Sequence, residues 1–515
     1  EELSSQIAYI ESCYRERSAL ISRLTFIADE NKKKRRSSRG IIGAFVYIAN
    51  CNDIENVNIM DHAKISGVFS LKNGTIDSCA EAQTIVGSGV IAEDFIFQKG
   101  SEITSGAVLS ATLVGEGCVI GKQFSSENSV FFANSTGHNS ETCSVLAGPY
   151  TVTHHKSTLL IAGIFSFFNA GSGTNQSNHM YKLGPLSQGI FERGAKTGSS
   201  SYILYPARIG AYSVVIGSHY SNCNTSEYPF SYIVEENGRS ILRPAVNFFK
   251  SGLIRDCEKW PARDRRKTRE PLDLIHFHTL SPYVMQKIFR AEKELLSLYA
   301  SAEKEQDYIA HKGVIIPRHS LRKGAQYYKM IAEIYFGENL VKALSQAPGK
   351  SLNEIFRPAP GYGEHCGEWI DACGLLCSLR RMDAFCLSAE KMSSYSELLT
   401  GLRSIYNSYA HDAWNWFLDA FRAFYGFDPP GDKKKLLEIL DNAKEAVIKR
   451  YELVLKDARY DYDDRALGSF GIDGNAREDF TAVRGNFENN QFVIKIKSAM
   501  EQDARLFNES AAGLA

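Results

Sequence analysis

Between Thr151 and Lys182 the chain gathers a high density of groups that can do chemistry. His154, His155 and Lys156 stand together in Thr151-Val-Thr-His-His-Lys-Ser157, and Phe168-Asn-Ala-Gly-Ser-Gly-Thr-Asn-Gln-Ser-Asn-His-Met-Tyr-Lys182 follows. A histidine, with its pKa near neutrality, can take a proton from a hydroxyl or an amine. The amides of Asn169, Asn175, Gln176 and Asn178, with the hydroxyls of Ser172 and Thr174, can orient a polar substrate. Lys156 and Lys182 offer charge to a phosphate. The Gly171-Ser-Gly173 turn lets a ligand approach the backbone. His138, in Phe131-Phe-Ala-Asn-Ser-Thr-Gly-His-Asn139, joins His154, His155 and His179 as a candidate general base. The plainer reading is a loop whose amides satisfy their own turns.

Two cations lie close by in Glu192-Arg-Gly-Ala-Lys-Thr-Gly198. Arg193 and Lys196 flank a glycine turn and are expected to meet a phosphate or a pyrophosphate. No metal is expected. Adjacent His154 and His155 would point to opposite sides of a strand, which makes sharing one ion difficult. His365, Cys366, Cys373, Cys377 and Cys386 invite a zinc reading. The spacing of Cys366, Cys373 and Cys377 instead fits one helix face carrying buried structural thiols.

The element that must position these groups shows itself as a repeat. From Ile42 to about Ala245 an aliphatic residue recurs every six positions, as in Ile85, Ile91, Phe97, Ile103 and Leu109. Val114 and Ile120 continue one residue out of phase, and Ile203, Ile209 and Val215 resume it later. Six matches neither the 3.6 of an amphipathic helix nor the 2 of a free strand. It fits a parallel β-helix whose coils each have three short strands, with Gly and Asn at the corners. An antiparallel sandwich is the alternative, but period-2 alternation is poor here. The repeat is expected to break from 131 to 201, which would make the histidine-bearing stretch an insertion.

The expected class is mainly β, then α: a left-handed parallel β-helix followed by an all-α helical domain. Residues 1–40 read as an N-terminal helix, spanning about 1–28, and a basic linker. The β-helix covers 41–250, a strap or linker covers 251–282, whose basic Arg263–Arg269 run reads as solvated or else as a phosphate binder, and helices fill 283–515. The 515 residues carry 59 basic and 59 acidic side chains, so no net field draws in nucleic acid. No stretch is long and apolar enough to span a membrane. Eleven scattered cysteines suggest reduced thiols and a cytoplasmic setting. The chain begins Glu-Glu-Leu rather than with Met, so a segment before residue 1 is allowed for.

The hexads, with Asn134-Ser-Thr-Gly-His138-Asn139 and Leu146-Ala-Gly-Pro149, resemble the left-handed β-helix transferases of the hexapeptide-repeat superfamily. In the sugar-nucleotide acyltransferases of that group the catalytic histidine stands in an Asn-x-x-x-His-Asp stretch, and His138 matches it. His154 or His155 falls near the family's Ala-Gly-His stretch. The chain departs at Asn139, where the family has Asp. Through Ala147-Gly-Pro-Tyr-Thr-Val-Thr-His-His-Lys156 and Lys259-Trp-Pro-Ala-Arg-Asp-Arg-Arg266 the chain also resembles a family of large bacterial hexapeptide-repeat proteins, which implies a β-helix joined to a helical domain and supplies no reaction. The superfamily resemblance implies a transferase acting on a sugar nucleotide or phosphorylated sugar, with a His base, acyl-CoA as co-substrate and a homotrimer. The alternative class is a non-catalytic scaffold or ligand sensor whose helical domain binds a partner.

Overall fold

The computed structural model describes residues 1–36, 38–177, 187–363 and 366–514, and for 160–162 the backbone alone. Its first half is a parallel β-solenoid. In one coil Thr136–His138 forms a first side and Asn139 turns the chain at φ 46°. Glu141–Ala147 then runs along a second side, bending at Ser144 (φ 56°) onto a third. Tyr150 (φ 60°) returns it to Val152–Thr153, one coil on. Left-handed backbone at three corners per coil explains the Asn-rich pattern, since Asn and Gly tolerate φ > 0 best. Asn50, Asn56, Asn73, Asn128 and Asn134 occupy such corners.

One column of paired residues follows the first side through the solenoid: Tyr47, Lys64, Ile85, Glu102, Val119, Thr136, Val152, Asn169, Lys196, Val214 and Tyr232. Every pairing in it is parallel, which excludes the sandwich. Half of its ten steps are 17 residues, not 18. Inward residues fall at spacings of six, six and five, as at Phe97, Ile103, Leu109 and Val114. The five-residue step explains the phase slip before Val114. It also corrects the start of the run: Val86 and Ala92 point inward, while Ile91 is 39% exposed.

The coils continue through most of the expected interruption at 131–201, and extra residues enter only in the step from Asn169 to Lys196. Strands Ser125–Phe131, Thr136–His138, Glu141–Ala147, Val152–Thr153 and Thr158–Phe165 continue the coils, with one register shift between Cys143 and Val145. The hydrophobic signal fades because Ser126, Gly137, Thr142 and Thr153 take the inward positions. Phe124 and Phe131 fill the space instead: a Cβ at Gly137 would lie 2.9 Å from the Phe124 ring. The longest step is between Asn169 and Lys196.

The N-terminal segment is two helices, α1 (Ser5–Cys13) and α2 (Ser18–Arg35), not one. Helix α3 (Ser251–Ala262) leaves the solenoid, and an extended strap leads to α4 (Pro282–Ser301). Then come α5 (Arg318–Gln346), α6 (Leu352–Ile355), α7 (Leu379–Ala389), α8 (Tyr395–Tyr425), α9 (Lys433–Ala458), α10 (Ala476–Arg484) and α11 (Gln491–Leu514). Two short hairpins interrupt the helices. Tyr308–Pro317 extends the solenoid's last sheet, and Trp369–Ser378 stands where Cys366 to Cys377 had suggested a helix. Cys373 lies in the turn of that hairpin (φ 48°). Solenoid and helices share one apolar core, from Val57 to Leu514.

The strap is not a solvated linker. Arg265 donates to the carbonyls of Gly117 (2.6 Å) and Asn134 (2.7 Å), and Glu116 accepts from Thr268 and the Leu272 amide. Buried Asp273 accepts from the backbone N–H of Ser5 and of Ala133, both at 2.7 Å, tying α1, strap and solenoid together. Asp273→Ala leaves two buried N–H groups without acceptors, each worth about 1–3 kcal/mol. The expected outcome is a lower urea midpoint and faster amide exchange at Ser5 and Ala133. An unchanged midpoint would show that this tie carries no stability.

Candidate functional site

The first side carries a groove lined by His154, Asn169 and Lys196, with His138 next to His154 but outside the lining. In a parallel stack, equivalent residues of successive coils lie about 4.8 Å apart. Thr136, Val152, Asn169 and Lys196 form one outward column. Gly121 and His138 begin a second, and His154 continues it one residue past paired Thr153. The next coils place Gly171 and Gly198 there. They are stacked so closely that a Cβ at Gly171 would meet the Gly198 carbonyl at 2.4 Å. Along that column the two histidines are thus flanked by Gly121 and Gly171.

Helix α3 and the strap form the other wall, through Lys259, Trp260, Arg263 and Arg265, enclosing about 310 Å³. Trp260 meets Phe167 edge-on at 4.9 Å, which fixes the wall against the solenoid corner. Asp256 bonds Lys196 at 2.8 Å and lies 4.0 Å from Lys259. Among the described lining residues this one carboxylate faces four cations, Lys196, Lys259, Arg263 and Arg265. The groove therefore carries excess positive charge and suits an anion.

Burial, then the charges of Lys122, His154 and Arg265, hold the His138 imidazole below its usual range. Burial, then His155, does the same to His154. A depressed imidazole is neutral at pH 7 and free to accept a proton. The Nδ1 of His154 is buried without a hydrogen-bond partner among the described residues. His155 does not point away from His154 as strand alternation would require. It sits at a corner with φ 54°, and the two rings meet edge-on at 4.4 Å. Exposed Lys156 (φ 61°) shares that corner.

Other expected site residues lie elsewhere. Thr174 is fully buried inside the coil, bonding Gly171 and Thr197 at 2.7 Å. Gln176 also points inward and accepts from Tyr205 at 2.7 Å. Asn175 is exposed on the second side, facing away from the groove. Ser172 stays beside the glycine corner, half-buried, its carbonyl accepting from the Ser200 amide. Arg193 is 1% exposed, paired with Asp371 at 3.3 Å and resting over the Phe167 ring at 4.2 Å, so it is no free phosphate ligand. Asn178, His179 and Lys182 lie outside the described residues. From sequence the Arg263–Arg269 run reads first as a solvated strap and second as a phosphate binder, and only the fold places Arg263 and Arg265 in the groove wall. Among the described residues no three His, Cys, Asp or Glu side chains gather as a metal site. No described helix is long and apolar enough to cross a membrane.

A parallel β-solenoid with a helical C-terminal region, bearing a basic, histidine-lined groove, is the class of protein that these features define. Residues 1–299 match the family described as "Domain of unknown function (DUF4954)", and the chain belongs to that family. Residues 351–514 match a second model, "Domain of unknown function (DUF6819)". An "Uncharacterized protein" of Treponema pallidum (strain Nichols) is 27% identical over 269 residues, covering 51% of this chain. The match spans 37% of that relative, little more than a third of its length. A solved structure titled "Activity and Crystal Structure of Arabidopsis UDP-N-acetylglucosamine acyltransferase" overlaps 52% of this chain and 83% of its own. At a TM-score of 0.21 and 10% identity no argument rests on it.

The depressed imidazoles have a pH consequence. Below about pH 6.5 the unfolded chain binds more protons at these histidines than the folded chain does. Their contribution is therefore complete above that pH and declines as pH falls. NMR titration is expected to show His138 and His154 both ionising below the usual histidine range. Lys122→Ala should raise the His138 midpoint and leave His154 nearly unmoved. A His138 midpoint at or above 6.5 in the wild type would contradict the assignment.

Proposed function

We propose that the first-side groove binds a sugar phosphate or sugar nucleotide and that the chain is a transferase. The observation that carries this is the neutral imidazole of His154 in the groove, facing an excess of lysine and arginine. Lys259 and Arg263 hold the phosphate, with Lys196 beside them and the Asn169 amide orienting the sugar. His154 takes the proton from the substrate's hydroxyl or amine. The freed oxygen or nitrogen attacks the carbonyl of a thioester such as an acyl-CoA. A backbone N–H stabilises the oxyanion. The C–S bond then breaks, and the departing thiolate takes the proton back from His154. Burial and His155, whose ring meets it at 4.4 Å, keep His154 neutral, and His138 lacks a carboxylate at Asn139. A side-by-side homotrimer, implied by the superfamily resemblance, belongs to the same reading and is measurable by light scattering.

The test is a thermal-shift screen of sugar phosphates, nucleotide sugars and acyl-CoAs, followed by turnover assays. Wild type should be stabilised by phosphorylated sugars, and Lys259→Ala with Arg263→Ala should lose that stabilisation. His154→Ala should keep binding and lose roughly 10²–10⁴-fold in turnover. Binding without turnover in the wild type would favour a ligand sensor whose helical region docks a partner. Neither binding nor turnover would remove the proposal.

A further inference from the structure

The third side of the solenoid opens onto a larger cavity that the groove does not use. One outward column there runs Ile96, Leu113, Val130, Leu146, Ile164, Ile190 and Arg208. Its apolar length is covered by α1 and the Trp369–Ser378 hairpin, with Ala8 and Cys373 packed on Leu113 and Leu146. Past Ile164 the covering elements part. A cleft of about 750 Å³ remains, closed on its far side by α4. Clefts of this size hold small organic ligands.

The charge at its floor is built and fixed. Glu192 and Lys287 each have 4% side-chain exposure and are 2.5 Å apart. Lys287 also donates to the Ser226 carbonyl (3.1 Å) and the Tyr283 hydroxyl (3.2 Å). The same Glu192 carboxylate takes Arg208 through Nε at 3.0 Å and a terminal nitrogen at 2.9 Å. One buried carboxylate therefore serves two cations, which leaves a net positive charge. Arg208 is 48% exposed, and its remaining N–H donors are available. Arg15, at the end of α1, is held only by Gln188 among the described residues, at 3.2 Å. Both guanidiniums act on the Cys13 thiol, opposing the burial that raises it to about 11. The other charges of the cleft are matched or lie away from this end. Arg193 is paired with Asp371, and Arg290 bridges Glu227 (2.7 Å) and Glu368 (2.8 Å). Trp369, also in the lining, has a buried indole N–H with no partner among the described residues.

We propose that this cleft is a second binding site, for an organic anion whose carboxylate or phosphate sits between Arg15 and Arg208 and whose apolar body lies along Ile164 and Ile190. Such a ligand touches α1, the solenoid and the helical region at once, so it also clamps the N-terminal helices in place. The acids at the Arg290 rim disfavour a second anionic end, which makes a one-ended anion the preferred class.

Phenyl phosphate and benzoate are suitable probes, measured by calorimetry on the full chain. Saturable binding is expected, weakened about tenfold or more by Arg15→Met and by Arg208→Met. Both substitutions are at exposed positions, and a thermal melt confirms folding. Ile190→Trp, which fills the cleft, should abolish binding. Lys259→Ala with Arg263→Ala, which disables the groove, should leave it unchanged. Binding that survives Arg15→Met, Arg208→Met and Ile190→Trp, binding lost in the groove variant instead, or no saturable binding of either probe would overturn the proposal. If phenyl phosphate binds and benzoate does not, the site takes phosphates; the reverse assigns it to carboxylates.

Discussion

A single coil of this solenoid cannot bury its own edge; only the coils above and below do that. Stacking in register is the constraint on which the rest depends. It demands three left-handed corners in each coil and one inward residue on each side. It tolerates Gly137 inside because the Phe124 ring fills the gap. It also fixes the outward residues. A side chain at a given position of one coil must stand about 4.8 Å from its counterparts. His138 and His154, in consecutive coils, are neighbours for that reason.

The outward columns have been put to different uses on different sides. On the third side an apolar stripe docks α1 and a hairpin, then ends in Arg208 where the cover parts. On the first side the column is polar and is roofed by α3 and the strap. The two sides meet at the corner of Phe167, where Arg193 stacks on the ring and reaches Asp371 of the helical region. That fully buried pair is costly to desolvate and would be costly to break on one side alone. Groove and cleft therefore share one rigid wall while facing different solvent.

Membership of a family does not by itself assign a reaction, and neither does a solenoid. What bears on function is charge left over once the internal pairs are matched. In the groove four cations face Asp256. In the cleft Lys287 and Arg208 share Glu192. Charge that the protein does not neutralise itself is available to a ligand, and the low-dielectric surroundings raise its effect.

The six-residue spacing of Phe97, Ile103 and Leu109 was enough to establish a parallel β-helix, because period is a direct consequence of coil geometry. Asn134 and Asn139 likewise announced their corners. The same spacing misled where small inward residues removed the hydrophobic signal, so a continuous stretch of solenoid read as an insertion. In and beside the groove, His138, His154, Asn169 and Lys196 were legible as reactive types. The exclusion of Thr174 and Gln176 was not, since inward or outward depends on a register that shifts with each five-residue step. Nor were Lys259, Trp260, Arg263 and Arg265 legible as partners of residues a hundred positions earlier. Local pattern determined the repeat and its corners. Only the tertiary structure decided which side each column faces and what roofs it, because those depend on packing between segments whose separation carries no periodic signal.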